Sequence, residues 1–231
     1  MSLPESIFHH WIYQACNKAR FDHFDWMNFD LSNKTVLELA AGIGDHTEYL
    51  LNKNAIVTAV EGRQCNFDIL KSKYEDRVTV ALLDIETDIY YLNSQFDYIY
   101  AYGILYHLSE PFRVLEHLSK LAPTIFIDTC IAKTHLEDEI GEIWNEDRSQ
   151  PHYSIGDKSL FPGIKQLRSN LESIFKHIYY PIKVPNHSAF VSDWNKLKEM
   201  PAEARIIIVA SNVEISNSRL TQEFQLQSEC I

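Results

Sequence analysis

Positive charge is scarce in this sequence. Twenty-one lysines and arginines stand against 32 aspartates and glutamates, a net charge of -11, with a pI near 5.3. That balance argues against a protein that clamps phosphate backbones over a wide surface. No Arg/Lys-rich stripe supplies a local nucleic-acid footprint either. Long apolar runs are missing as well: none approaches the roughly 18 residues of a membrane span. The stretch MSLPESIFHHWIYQ carries Glu5 and His9 where a signal peptide needs a basic region and then an apolar one. Only four cysteines occur, Cys16, Cys65, Cys130 and Cys230. They share no metal-ligand spacing and read as free thiols of a reducing compartment. Ten histidines form no H-x-x-x-H or Cys/His cluster, so no metal is expected. With no repeat, low-complexity tract or linker, residues 1–231 read as a single domain, soluble and cytoplasmic, with no membrane association.

What the sequence does have is alternation. Forty-five per cent of it is hydrophobic, and the apolar segments come in two lengths. TVLELA, AIVTAVE, VTVALLD, FDYIYAYG and TIFIDTC read as strands, and DHTEYLLNK, NFDILKSKYED and PFRVLEHLSKL between them as helices. This order predicts an α/β fold with a doubly wound, mostly parallel sheet. TIFIDT and RIIIVAS are apolar almost throughout, as strands covered on both faces should be. Residues 4–18 read as one helix with Phe8, Trp11, Ile12 and Ala15 on a face, inside an N-terminal helical cap over residues 1–33. From 131 to 158 the alternation gives way to an acidic, irregular insert. A helix SLFPGIKQLRSNLESIF, a strand KHIYYPI, a loop over 183–203 and a last strand ARIIIVAS follow. The tail from Asn212 is polar and expected to fray.

TVLELAAGIGDHTEYL joins a buried strand to a helix through Gly42 and Gly44. Glycines there admit close ligand approach, and the helix offers free N–H groups and a positive dipole end. Taken alone the G-x-G-x-x-T pattern is a weak signal, open to a pyrophosphate, another nucleoside ligand or mere chain geometry. Three carboxylates narrow it. Glu38 lies inside the first strand, where a carboxylate is costly unless it meets a cation or donors. Glu61 ends the second strand about 20 residues on, where it can take a ribose diol. Asp84 ends the third, where it can accept from an exocyclic amine. No basic residue lies in the turn, so a cationic, phosphate-free nucleoside suits the set better than a dinucleotide.

VLELAAGIGDHT, VTAVEGR, ALLDIE and FDYIYAYGILYHLSEP stand in an order and spacing that resembles the class I S-adenosylmethionine-dependent methyltransferases. The resemblance covers roughly residues 34–130, and KHIYYPI with ARIIIVAS is similar to the antiparallel ending of that Rossmann-like fold. It implies S-adenosyl-L-methionine as cofactor. Glu38, Gly42 and Gly44 are implied to line its methionine portion, Glu61 its ribose hydroxyls, and Asp84 and Ile85 its adenine. Tyr102 and Gly103 are implied beside the amino-acid end and the methyl group. Ala40, Asp45, His46 and Gly62 join the same cofactor-binding set, with Asp45 expected to cap the helix. One departure is visible: Ala40 stands where the family usually has its first glycine.

Methyl transfer requires a nucleophile aligned with the methyl carbon and, for an alcohol, removal of a proton. AYGILYHL places Tyr106 and His107 past the carboxyl end of the fourth strand, the edge at which open α/β sheets bind ligands. His107 is the first candidate for a general base or substrate-orienting group; the alternative is a packing role in the loop. Trp144, Glu146, His152 and Tyr153 in the insert, with His187 in the later loop, are candidates to bind the acceptor. Trp194 could approach from that side too. Arg63 and Arg113 read as surface or helix residues. The expected activity is methylation of an oxygen or nitrogen of a small organic molecule. Two alternatives stand beside it: a tRNA uridine-modifying methyltransferase, because YGILYHL is similar to a segment of that group, and a non-catalytic S-adenosylmethionine-binding module.

Overall fold

Several strand segments fold where apolar residues run between turn-forming residues, as Ile56–Glu61 does between Asn54 and Gly62 and Ala204–Ser211 before Asn212. A computed structural model describes residues 2–134, 136, 140–200, 203–224 and 229–230. Two helices come first, α1 (Leu3–Phe8) and α2 (Trp11–Met27). They are followed by β1 (Thr35–Leu39), α3 (Asp45–Asn52), β2 (Ile56–Glu61), α4 (Gln64–Tyr74) and β3 (Thr79–Leu82). Next come β4 (Tyr98–Tyr102), α5 (Pro111–Leu118), β5 (Thr124–Ile131), β6 (Glu142–Asn145) and β7 (Lys158–Phe161). The chain then forms α6 (Ile164–Ile174), β8 (His177–Pro181), β9 (Lys183–Val184), β10 (Ala204–Ser211), β11 (Leu220–Thr221) and β12 (Glu229–Cys230).

Eight strands form the main sheet in the order β11-β8-β10-β5-β4-β1-β2-β3. Strands β1 to β5 run parallel, and β10 inserts antiparallel between β5 and β8. β5 and β10 are buried along their whole length, matching their unbroken apolar runs. The strand order reverses between β1 and β4, so a crevice opens at the carboxyl ends of those strands. Because β10 is antiparallel, its first residues, Ala204 and Arg205, pair with Ile131 and Cys130 at that same edge.

The N-terminal segment departs from the single helix expected. His9 and His10 break it between α1 and α2, so the periodicity counted across the break puts Trp11 and Ile12 on the wrong face. Both are exposed, while Phe8 is buried. α2 continues to Met27 and lays Phe24 and Met27 into one core cluster beside Tyr100 and Phe126 of the sheet. Expected as a helix start, the stretch Ser159 to Phe161 is instead strand β7, paired antiparallel with β6. Alternating burial of Ser159 and Phe161 suits a strand, and Pro162 and Gly163 delay the helix to Ile164. The acidic insert is therefore a hairpin with a long tip. Within it, residues 135 and 137–139 lie outside the described residues, as do 201–202 of the later loop, 225–228 and 231 of the tail, and the Cys230 side chain.

The glycine turn is built tightly. Gly44 has φ +97° and caps the start of α3, and a Cβ there would lie 2.2 Å from Tyr74 Cε2 and 3.0 Å from Leu70 Cδ1. Gly44 thus lets α3 dock on α4 and does not line the cavity described below, contrary to the cofactor-contact role implied by the resemblance. Asp45 follows as the first residue of α3 and is not the cap; its Oδ2 accepts from Gln14 Nε2 at 2.8 Å. Gly44→Ala combines a left-handed backbone with a clash against an aromatic ring. It is expected to cost about 2–4 kcal/mol of folding stability, read as a lower denaturant midpoint. An unchanged midpoint would contradict this packing.

Candidate active site

A cavity of about 300 Å3 lies over the strand-order switch. One end is walled by the β1 and β2 carboxylates and the other by α2, the loop after β4 and the start of β10. Of the residues implied to touch the cofactor, Glu38, Ala40, Gly42, Asp45, His46, Glu61, Gly62, Asp84, Ile85, Tyr102 and Gly103 all line it. Ala40 has φ +51°, so the family's usual glycine is replaced at a left-handed position, a strain of about 1–2 kcal/mol. Phe8 from α1 sits on the turn, its ring 3.1 Å from where a Cβ on Gly42 would be.

Glu38 is fully buried, and Thr47 Oγ1 donates to its Oε2 at 2.6 Å. Its other oxygen, Oε1, has no partner among the described residues. Burial pushes the carboxyl up to about 8, against the opposing hydrogen bond from Thr47 and with the nearby Glu61 adding to the rise. Glu61 is satisfied by backbone donors: Gly42 N–H reaches Oε2 at 2.8 Å and Arg63 N–H reaches Oε1 at 2.9 Å. Burial raises its carboxyl, and these two bonds oppose the rise. At the next strand end Asp84 Oδ1 accepts from Glu86 N–H at 2.9 Å.

Arg63 has a job that its surface-like sequence context hid. Its guanidinium donates to the carbonyls of Arg148 at 2.8 Å, Ser154 at 2.5 Å and Tyr153 at 3.2 Å. Asn66 Nδ2 adds a bond to the Pro151 carbonyl at 2.8 Å. The returning limb of the insert is thereby tied to the residues just after Glu61, and Ile155 packs over Gly62. His152 and Tyr153 reach the cavity on that limb.

Tyr106 and His107 also face the cavity. His107 Nδ1 lies 3.0 Å from Glu146 Oε1, and Ser154 N–H donates to Glu146 Oε2 at 3.3 Å. Burial alone would raise the Glu146 carboxyl, but hydrogen bonding and charge attraction from His107 outweigh it and leave it lowered. Glu146 does not itself line the cavity. Its effect is to orient the imidazole, so that Nδ1 faces the carboxylate and Nε2 is left for other partners. Two other acceptor candidates are elsewhere. Trp144 is exposed on β6 and stacks on Phe161, and His187 accepts from Ala189 N–H through Nδ1 in its own loop. Neither lines the cavity. Trp194 is buried in the core against Phe224.

Sequence reading missed the charged group at the far end. Arg20 of α2 holds Asp128 of β5, with Nε and Nη2 each 2.5 Å from Oδ2. Arg205 Nη1 approaches Asp128 Oδ1 at 3.5 Å, while its Nη2 donates to Tyr106 Oη at 2.8 Å and to Glu203 Oε2 at 3.1 Å. Arg20 Nη1 donates to Asn17 Oδ1 at 2.9 Å. That same oxygen lies 3.0 Å from His46 Nε2, whose Nδ1 is 3.0 Å from Tyr100 Oη. Burial, with Arg20 nearby, depresses His46 well below its usual value, so it stays neutral. Since Asn17 Oδ1 can only accept, Nε2 carries the proton and Tyr100 donates to Nδ1. The signal that could have exposed this group is a charge inside an apolar strand: Asp128 in TIFIDTC and Arg205 in ARIIIVAS.

Residues 37–122 match the family model of a methyltransferase domain. Among solved structures, the N-terminal domain of EvdMO1, crystallised in the presence of SAH (S-adenosylhomocysteine) and D-fucose, is similar at 19% identity. Its TM-score is 0.66, over 88% of this chain and 84% of that one. An S-adenosylmethionine-dependent methyltransferase from Mesorhizobium loti aligns at 12% identity and TM-score 0.59, over 85% and 99%. The 1,6-didemethyltoxoflavin-N1-methyltransferase of Burkholderia thailandensis, with bound 1,6-didemethyltoxoflavin and S-adenosylhomocysteine, aligns at 17% and 0.54, over 88% and 78%. No curated sequence matches the chain. The chain therefore carries a methyltransferase domain in the Rossmann-like class I fold. The solved structures that share this fold include an S-adenosylmethionine-dependent methyltransferase and proteins crystallised with S-adenosylhomocysteine. Among the described residues no helix is long and apolar enough to cross a membrane, and no group of three or more His, Cys, Asp or Glu is placed to hold a metal ion.

Proposed function

We propose that the protein methylates an oxygen or nitrogen of a small organic molecule, with S-adenosylmethionine bound along β1, β2 and β3. The observation that carries this reading is His107, which faces the cavity beside Tyr106 while Glu146, outside the lining, holds its Nδ1 at 3.0 Å. An imidazole held by a carboxylate is the arrangement a general base needs to take a proton from an attacking hydroxyl or amine. The acceptor end is roofed by the insert, and a cavity of this size favours a small ligand over a polymer. Two proteins of similar fold were crystallised with a small organic molecule alongside S-adenosylhomocysteine.

The residues fit the cofactor. The orphaned, buried Oε1 of Glu38 suits the ammonium of its methionine portion. Glu61 stands ready for the ribose hydroxyls, and Asp84 and Ile85 for the adenine. When bound, the cofactor supplies an electrophilic methyl on a sulfonium leaving group. Tyr102 and Gly103 border the space in which Tyr106 and His107 orient the nucleophile. Incubation with methyl-labelled cofactor and a panel of small alcohols, phenols and amines is expected to give a labelled product of one added methyl. Labelling of tRNA with none of the small molecules would overturn the reading.

A proton count tests the Glu38 assignment separately. With its carboxyl at about 8, Glu38 is mostly protonated at pH 7, and a cation placed beside it lowers that value. Binding of S-adenosylhomocysteine at pH 7 is thus expected to release most of a proton. Calorimetry in two buffers of different ionisation enthalpy reads this directly. Glu38→Gln should abolish the release, and a wild-type protein that releases none would remove the ammonium from Glu38.

A further inference from the structure

We propose that the methyl acceptor is a carboxylic acid, anchored through its carboxylate by the Arg205 guanidinium and the Tyr106 hydroxyl. This rests on the methyltransferase reading above and names the substrate class of that site. Charge in this wall of the cavity is compensated unevenly. Two guanidiniums share one buried carboxylate: the side chains of Arg20, Arg205 and Asp128 are 4%, 9% and 0% exposed. Glu203, the other acidic neighbour, has a side chain 55% exposed and so partly solvated. Glu203 balances the formal count by pairing with Arg205 Nη2 at 3.1 Å, but from a half-solvated side chain. The buried Arg205 guanidinium is thus the least fully compensated charge of the wall, and an incoming anion would complete its environment.

The two arginines are not equivalent. Arg20 grips Asp128 through two nitrogens at 2.5 Å and spends a third on Asn17. It fixes Asp128 through Oδ2. Arg205 reaches Asp128 only at 3.5 Å, and its Nε–H makes no hydrogen bond to a described residue. Its Nη2 donates to Tyr106 Oη, which makes that hydroxyl an acceptor and leaves its own proton unspent. Burial holds the Tyr106 phenol far above its usual value, so the proton stays on. Arg205 N–H groups and the Tyr106 O–H are therefore donors on adjoining groups of the cavity wall, next in sequence to His107. An acid carrying a hydroxyl or amine beside its carboxylate would place that nucleophile near the imidazole. Asp128 itself is not spare for ligand binding, being held by both arginines.

The test uses the full chain saturated with S-adenosylhomocysteine. Short-chain hydroxy acids, amino acids, hydroxybenzoates and aminobenzoates are titrated, each beside its own carboxamide. At least one acid is expected to bind about 10–100-fold tighter than its amide, the worth of a charge-assisted hydrogen bond. Arg205→Gln should erase that preference and Arg205→Lys should keep part of it, while both retain wild-type affinity for S-adenosylhomocysteine. Acids and amides binding alike, or no acid binding, overturns the proposal. So does an Arg205→Gln protein that loses S-adenosylhomocysteine affinity but not acid affinity, since the arginine would then serve the cofactor's carboxylate. Failure of wild-type protein to bind S-adenosylhomocysteine strikes the methyltransferase reading instead, and acid preference is then read on the protein alone.

Discussion

His107→Ala is expected to lower kcat about 10²–10³-fold while leaving S-adenosylmethionine affinity within about twofold. The expectation comes from position. His107 faces the acceptor end, and its Nδ1 is engaged by Glu146 at 3.0 Å, so the ring is held with Nε2 available. Glu38 and Glu61, the carboxylates proposed for the cofactor, lie on other strands and lose nothing directly. Glu146→Ala should reproduce part of the loss, because it frees the ring to rotate without removing it. A KM-against-kcat split separates the two roles open to His107. A fall confined to kcat marks proton transfer or alignment in the transition state. An unchanged kcat in His107→Ala would reduce the residue to loop packing and leave proximity as the source of rate.

Glu61→Ala is the second large effect, with affinity for S-adenosylmethionine and S-adenosylhomocysteine both falling about 30–300-fold. The carboxylate has two duties, and the substitution ends both. It would offer its oxygens to the ribose hydroxyls, and it already takes hydrogen bonds from Gly42 N–H and Arg63 N–H, which hold the glycine turn against the start of α4. Stranding those donors should also cost about 1–3 kcal/mol of stability. Glu61→Gln retains an acceptor for one of them, so its melting temperature should lie nearer wild type while its affinity is still reduced. Equal loss for both ligands is the key feature, since neither the methyl nor the acceptor touches Glu61. Affinity within about twofold of wild type would remove the ribose from this residue.

The carboxylate end of the cavity was legible because its signals are local. A buried carboxylate inside TVLEL, a glycine turn and two acidic strand ends all fall within fifty residues, and strand periodicity alone brings them to one edge. The doubly wound order followed from the alternation of strands and helices, and the antiparallel β10 from the resemblance to the methyltransferase fold. The arginine–aspartate end resisted for the opposite reason. Arg20, Asp128 and Arg205 come from three distant segments, and only packing of α2 across the sheet brings them together. Asp128 and Arg205 carry the same sequence signal as Glu38, a charge inside an apolar run, here within β5 and β10. Gly44 looked like a ligand contact because motif spacing does not distinguish a glycine needed by a ligand from one needed by Tyr74. Trp144 and His187 were chosen for composition, and side-chain type does not reveal which way a hairpin or loop turns.

Calorimetric titration of the full chain with S-adenosylhomocysteine, and in parallel with NAD, tests the central claim most directly. The carboxylates on β1 and β2, with no basic residue in the glycine turn, suit a cationic nucleoside and offer nothing to a pyrophosphate. Saturable binding of S-adenosylhomocysteine at one per chain is expected, with no measurable heat from NAD. NAD binding as tight as S-adenosylhomocysteine, or no binding of S-adenosylhomocysteine, would contradict that claim.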